Sequence, residues 1–206
     1  MRRALQIVGS TLIACGVAAS LAFATGSTAG LSERVRDTLT VIDTVPTKVQ
    51  LDLAFENQAL PNLSTIAQDR TLDIGVRVRA IHALAKYCPD PCSSTELAYQ
   101  SLAALISETR NETIGEPVVL LRAALETIGT LPVDSNPTAK AEITAIVIEL
   151  LNHPSRDIRA AAARALRDLC NNNAATALRI RYTSEPTEQV KLAISEALRI
   201  LGQCGM

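Results

Sequence analysis

The chain has 206 residues, of which 48% are hydrophobic and only 2% aromatic, and its formal net charge is −1. The apolar content is therefore mainly Leu, Ala, Ile and Val, which favours packed helices over aromatic-rich sheets. A nearly neutral chain with no Trp and only three Tyr has no positive field to attract nucleic acids and few side chains to stack on bases, so no nucleic-acid partner is expected.

The N-terminus has the pattern of a secretory signal. The basic start Met1-Arg2-Arg3 leads into an uncharged, largely apolar stretch over residues 4–24. Residues 1–24 are therefore predicted to be a signal peptide, and the small-x-small triplet Ala22-Phe23-Ala24 predicts cleavage before Thr25. The product would be an exported protein, periplasmic or extracellular.

Two other outcomes of this segment stay open. Leu12-Ile13-Ala14-Cys15-Gly16 resembles a bacterial lipobox, in which Cys15 would become the lipidated N-terminus of a membrane-anchored lipoprotein. The apolar stretch is also long enough to remain as an uncleaved membrane anchor. Contact with a membrane is expected in these two cases and not after cleavage before Thr25.

Residues 25–58 carry no repeat signal and are interpreted as an N-terminal extension: a helical cap, a partial repeat or a linker. Residues 59–206 contain a recurring Ala-Leu pair, with two steps of 41 residues and a last step of 32. The four pairs are Ala83-Leu84, Ala124-Leu125, Ala165-Leu166 and Ala197-Leu198. Two equal steps of this length indicate a repeat built on helix pairs.

Apolar residues recur at helical spacing around each Ala-Leu pair, as Ile158, Ala162 and Leu166 do, which predicts an amphipathic second helix in each unit. The first helices are predicted at 60–68, 95–109, 138–152 and 174–182, joined to the second helices by polar turns. Pro117 suits the first turn of its helix, and Gly129 and Gly202 are expected to adopt left-handed helix caps.

The second helices also carry a family pattern. The dipeptides Val76-Arg77, Ile158-Arg159 and Val190-Lys191 all stand at one distance before the Ala-Leu pair of their unit, and this arrangement resembles the second-helix signature of HEAT repeats. Pro117-Val118 in the second unit departs from the signature. The resemblance implies an all-α fold, an α-solenoid of about four stacked antiparallel helix pairs in a right-handed superhelix.

The resemblance implies a binding habit rather than a reaction. We expect a non-catalytic protein-binding scaffold, or an assembly or accessory factor of the cell envelope, that uses no cofactor. Two alternatives stay open. One is a lyase-like or small-molecule-handling protein of the same fold, and the other is an envelope protein that associates end to end with itself.

Arginine side chains on the second helices are the predicted contacts for a protein partner, in particular one with an acidic segment. These candidates are Arg79, Arg122, Arg164, Arg167 and Arg199. The first helices are expected to be acidic through Glu96, Glu108, Glu142 and Glu149. One repeat position is basic in three units, as Arg77, Arg159 and Lys191. These three residues either bind the partner or form ion pairs with acidic residues of the adjacent turn.

Four cysteines remain once Cys15 is set aside, which predicts two disulfides in an exported protein. Cys170 ends a second helix beside the end of the next unit, where Cys204 lies, so a Cys170–Cys204 bridge is predicted to fix the last repeat. The remaining bridge, Cys88–Cys92, would close a tight turn. Redox exchange by this pair is disfavoured, because a helix end does not stabilise a thiolate.

Motifs for catalysis and metal binding are missing from the sequence. The chain has two histidines, His82 and His153, and neither has the spacing of a metal pair or of a base next to a nucleophile. His82 with Cys88 and Cys92 would lack a fourth ligand for zinc. We therefore expect neither a catalytic nor a metal site, with His82 at the edge of the core and His153 at a helix start.

Overall fold

A computed structural model of the chain describes residues 30–40 and 45–204, and these residues form helices and no β-strand. The predicted signal peptide and Cys15 lie outside the described residues. The helices of the described part are α1 (Glu33–Thr40), α2 (Lys48–Ala54), α3 (Ala59–Gln68), α4 (Ile74–Leu84), α5 (Leu97–Thr109), α6 (Glu116–Ile128), α7 (Pro137–Glu149), α8 (Arg156–Leu169), α9 (Ala174–Ser184) and α10 (Glu188–Leu201). Short 3-10 turns at Ala85–Tyr87 and Leu150–Asn152 extend α4 and α7. None of these helices is long and apolar enough to cross a membrane.

The helices pair along the chain as the repeat predicts, α3 with α4, α5 with α6, α7 with α8 and α9 with α10. The second helices α4, α6, α8 and α10 also pack side by side in chain order. Among the first helices, α3 packs on α5 and α7 packs on α9. The fold is an α-solenoid of four helix pairs with one layer of first helices and one of second helices.

The repeated Ala-Leu pairs face the core. Leu84, Leu125 and Leu166 are almost fully buried, whereas Leu198 is only half-buried. The difference follows from position, because α10 has a neighbouring second helix on one side only within the described chain. Full burial of a Leu side chain contributes roughly 1.5 to 3 kcal/mol, so the repeated pairs are a main source of stability.

Helices α1 and α2 cover the N-terminal side of the first pair, where α1 packs on α4 and α2 on α3. Arg79 on α4 donates from Nη1 to the carbonyl oxygen of Leu39 at 3.2 Å. The hydroxyl of Tyr87, after α4, donates to Oδ1 of Asp52 on α2 at 2.8 Å. Of the three interpretations of the N-terminal extension, these contacts favour a helical cap.

The expectation of left-handed caps at Gly129 and Gly202 is wrong. Both residues have right-handed helical backbone angles, with φ of −64° and −65°. The close approach of α8 explains the glycine at position 129 instead, because a Cβ atom there would lie 2.9 Å from Cα of Ala165 on α8. The left-handed residue at a second-helix end is Cys170, with φ of 49°.

The four described cysteines form the two pairs that the sequence predicted. The sulfur atoms of Cys88 and Cys92 lie at bonding distance, with Cα atoms 5.4 Å apart. Those of Cys170 and Cys204 also lie at bonding distance, with Cα atoms 5.8 Å apart. The second pair connects the end of α8 to the residues after α10 and so joins the last two units.

Candidate functional site

The second helices present an extended surface on the side that faces away from the first helices. We call this surface, made by the exposed and half-buried residues of α4, α6, α8 and α10, the second-helix face. These four helices contain nine Arg and Lys residues and six Asp and Glu residues. Arg77 and Arg159 are buried and so lie outside this face, which leaves seven basic and six acidic residues on it, an excess of one positive charge.

The expected acidic character of the first helices is not found. Helices α3, α5, α7 and α9 contain three acidic residues, but Lys140, Arg179 and Arg181 balance them. Glu96 lies just before α5 and adds one more negative charge. The prediction went wrong because it considered the glutamates without the basic residues of α7 and α9.

Arg79 lies at the N-terminal end of the second-helix face and is half-buried. Its hydrogen bond to the Leu39 carbonyl holds α1 against α4. A side chain that fixes the cap in this way serves the fold, and its replacement would disturb α1 before it affected a partner. Among the five candidate arginines, Arg79 is therefore the least suited to report binding.

Two other candidates are engaged in ion pairs on the face. Nε of Arg122 lies 2.8 Å from Oε1 of Glu126, one turn further along α6. Arg167 on α8 pairs with Asp168 at 2.7 Å and reaches Glu196 on α10 at 3.0 Å. Exposed pairs of this kind contribute about 0 to 1 kcal/mol, so a partner carboxylate could compete for either guanidinium at small cost.

Arg164 and Arg199 differ from these two. Arg164 is half-buried near the middle of α8, and Arg199 is exposed on α10. Within the part of the chain that the structure describes, neither has a carboxylate within 4.0 Å.

A second set of basic residues lies at the edge of the stack where first and second helices are joined, and we call this the turn edge. Arg77 is 3.6 Å from Glu116, and Lys191 is 3.1 Å from Glu188. Arg159 holds Glu185 through two hydrogen bonds of 2.8 Å. Arg159 and Lys191 thus pair closely with acidic residues, which favours their structural interpretation, whereas Arg77 makes only a distant ion pair.

Glu185 is the centre of a buried network at the turn edge. Besides Arg159, it accepts from Arg181 at 2.7 Å and from the backbone N–H of Thr187 at 3.0 Å. These hydrogen bonds, with that of Arg159 the strongest, lower the pKa of Glu185 to about 2. The carboxylate is therefore charged at any ordinary pH and fixes the fourth unit to the third.

The second unit has Val118 where the others have a basic residue, and His153 makes the link between units at that point. Nε2 of His153 donates to the Glu112 carbonyl at 3.0 Å, and Nδ1 accepts from the N–H of Ser155 at 3.0 Å. Burial lowers the pKa of His153, which keeps the ring neutral and suited to this double role. The predicted position at a helix start is correct, and the contact between units was not foreseen.

His82 is half-buried between α4 and α6, with Nδ1 3.0 Å from the hydroxyl of Thr127. Burial lowers its pKa, which makes it a neutral hydrogen-bonding group at the edge of the core. Among the described residues, no three His, Cys, Asp or Glu side chains gather as a metal site would require.

The chain also resembles known proteins over part of its length. Residues 115–199 match the family model for HEAT repeats. The matched part of the chain includes the helix pairs α7 with α8 and α9 with α10. It spans α6 to α10, the region that holds four of the five candidate arginines, and the helix pairing of residues 59–109 continues the same architecture.

Two solved structures are similar to part of the chain. One is a computationally designed armadillo repeat protein for modular peptide recognition, at 18% identity and a TM-score of 0.49, covering 75% of this chain and 69% of that chain. The other is a further designed armadillo repeat protein, at 20% identity and a TM-score of 0.49, covering 76% and 70%. No curated protein matches the chain.

Proposed function

We propose that this chain is a non-catalytic scaffold that binds an acidic segment of a partner protein on its second-helix face. The observation that carries the proposal is Arg164, a half-buried guanidinium on this face without a carboxylate partner among the described residues. A partly desolvated cation gains more from an incoming carboxylate than an exposed one does. Arg122 and Arg167 lie on the same face, and on binding they would replace their weak internal ion pairs with ion pairs to the partner.

The spacing of the solenoid supports an extended ligand. Packed helices lie about 8 to 10 Å apart, and an extended chain rises about 3.3 Å per residue. A segment laid across α6, α8 and α10 would therefore move from one helix to the next about every three residues. Acidic residues at that interval could meet Arg122, Arg164 or Arg167, and Arg199 in turn.

We further propose that the protein works outside the cytoplasm, in the cell envelope or beyond it. Two features support this location: the signal-like residues 1–24 and the arrangement of four cysteines in two pairs at bonding distance. Disulfides persist in oxidising compartments. The intact mass of the protein from its native host tests the location, since processing before Thr25 or lipidation at Cys15 would each support export, and an unprocessed chain in the cytoplasm would rule it out.

Capture from a native envelope extract tests the binding proposal. The bait is the purified full chain, beside an Arg164→Glu variant and a matched Arg179→Glu variant. Arg179 is exposed on α9 and also lacks a carboxylate within 4.0 Å among the described residues, so its replacement makes the same change of charge on the first-helix layer.

The expected result is one protein that the wild type and Arg179→Glu retain and Arg164→Glu loses, with retention that weakens as salt is added. Circular dichroism and thermal unfolding check that all three baits are folded. Equal retention by Arg164→Glu would place the binding surface elsewhere on the molecule.

A further inference from the structure

Arg77 and Arg159 occupy the same position in two repeats, seven residues before Leu84 and Leu166. Both are buried, with 4% and 7% of their surface exposed. A guanidinium keeps its charge in a protein, so its burial requires acceptors that replace water. The two arginines find their acceptors in different ways.

Every guanidinium nitrogen of Arg159 has a protein acceptor. Nε and Nη2 donate to the two carboxylate oxygens of Glu185, each at 2.8 Å. Nη1 donates to the carbonyl oxygens of His153 at 2.9 Å and Pro154 at 2.8 Å. A single carboxylate, held by two parallel bonds, thus provides the charged partner.

The guanidinium of Arg77 is much less satisfied. Nε donates to the Ala67 carbonyl at 3.3 Å, and Nη1 is 3.6 Å from a carboxylate oxygen of Glu116, beyond hydrogen-bonding distance. The Glu116 side chain is 62% exposed, so water competes for it. Neither Nη nitrogen donates a hydrogen bond to another described residue.

Arg77 lines an open cleft of ≈ 190 Å³ between the ends of α3 and α5 and the starts of α4 and α6. Glu112 would be the counterpart of Glu185, since each stands 13 residues before the repeat Leu. The loop before α6 has six residues, against three before α10, and it leaves Glu112 exposed. Beside Arg159, the corresponding space is filled by Glu185. Beside Arg77, this space stays open and forms the cleft.

The charges at the mouth of the cleft restrict what can enter. Glu108, Glu112 and Glu116 are exposed along its border together with one cation, Arg70, so negative charge prevails there and would repel a ligand that carries negative charge alone. Arg77 lies deeper, with most of its side chain screened from bulk water but its Nη groups still in contact with the water of the cleft, so it interacts more strongly with a bound anion than an exposed arginine does. A ligand with a carboxylate and a cationic group next to it satisfies both regions.

We propose that the Arg77 cleft is a second binding site, which takes a carboxylate with a cationic group beside it. The carboxylate would accept from the Nη groups of Arg77 in the way that Glu185 accepts from Arg159. A free α-amino acid and an Asp or Glu flanked by Lys or Arg in a protein segment share this chemistry. The site lies on the turn edge and does not depend on the second-helix face.

The test follows the Nε–Hε resonance of Arg77 in ¹H–¹⁵N NMR spectra of the purified full chain, assigned by its loss in Arg77→Lys. The probes are L-lysine, acetate, and the peptide acetyl-Ala-Lys-Glu-Lys-Ala-amide, which has no free termini. L-lysine or the peptide is expected to shift the resonance to saturation, and acetate is expected to bind about tenfold more weakly or worse. Whichever of L-lysine and the peptide binds more tightly shows whether the ligand is a free amino acid or a protein segment.

Two variants complete the test by calorimetry with the stronger probe. Arg77→Lys keeps the charge but loses the two-bond geometry, and it is expected to weaken binding by about tenfold or more. The double variant Glu108→Gln, Glu112→Gln changes only exposed residues and should reduce the preference over acetate. No saturable shift with any probe, undiminished binding by folded Arg77→Lys, or an unchanged preference in the double variant would each overturn the proposal.

Discussion

Arg159 and Glu185 form a two-bond ion pair between the third and fourth helix pairs, with side chains that expose 8% and 0% of their surface. The guanidinium also binds two backbone carbonyls, and the carboxylate also binds Arg181 and a backbone N–H. The pair therefore belongs to a network in which each strong donor has an acceptor. Such a network ties neighbouring units together at the turn edge and leaves the second-helix face available.

Loss of the Glu185 charge should destabilise this network. Glu185→Gln keeps the shape of the side chain but leaves the charge of Arg159 buried without its counter-ion. Removing one partner of a buried pair costs about 3 to 5 kcal/mol, and we expect a loss of that size in the free energy of unfolding, measured with denaturant. Glu188→Gln, at an exposed carboxylate on α10, is the control and should change stability by less than about 0.5 kcal/mol. Similar free energies of unfolding for both variants would show that the network does not stabilise the fold.

The pH dependence of stability provides a separate test. The pKa of Glu185 is about 2 in the folded chain, below the ordinary value of 4.5, chiefly because Arg159 donates to the charged form. Its contribution is therefore complete above about pH 4.5 and is lost as the pH falls towards 2. Thermal unfolding of the wild type should show this decline, and Glu185→Gln should show a smaller one. Parallel curves would contradict the assigned ionisation.

The two cysteine pairs should differ in their effect on stability. Cys170 and Cys204 are 34 residues apart, whereas Cys88 and Cys92 are separated by four. By the chain-entropy model, the long loop contributes about 3 to 4 kcal/mol and the short one about 2 kcal/mol. We expect Cys170→Ala with Cys204→Ala to lower the midpoint of thermal unfolding more than Cys88→Ala with Cys92→Ala does. The reverse order would show that the last repeat does not depend on its bridge.

Gly129→Ala tests the close approach of α6 and α8. The added Cβ would lie 2.9 Å from Cα of Ala165 and 3.1 Å from its Cβ, so the helices would have to separate. Overpacking of this kind costs about 1 to 3 kcal/mol. Gly202→Ala is the matched control, because its Cβ would meet no heavy atom closer than 3.6 Å. Equal stability of the two variants in denaturant would argue against the close contact at Gly129.

Features that depend on periodicity were predictable from the sequence. The Ala-Leu steps located all four helix pairs, and first-helix boundaries such as 174–182 for α9 (Ala174–Ser184) agree within three residues. Pairing of Arg159 with an acid in the next turn was also foreseen, because the basic position recurs. The roles of Gly129 and His153 were not foreseen, since they depend on contacts between helix pairs that no local pattern encodes.

The candidate arginines show the same limit. Sequence placed all five on second helices, but it could not separate Arg79, which binds the Leu39 carbonyl, from Arg164, which lacks a carboxylate partner among the described residues. That distinction depends on contacts such as that of α1 with α4, which form only in the folded stack. Burial and pairing, rather than composition, thus select the residue to test.

Site-specific photo-cross-linking in the native host tests the central claim most directly. A photoreactive residue replaces Val119, which is 48% exposed on α6 beside Arg122, or Ala104, which is exposed on α5 in the first-helix layer. The scaffold account predicts a protein adduct from position 119 that Arg164→Glu abolishes, and no adduct from position 104. An adduct from position 104 alone, or one from position 119 that persists in Arg164→Glu, would contradict it.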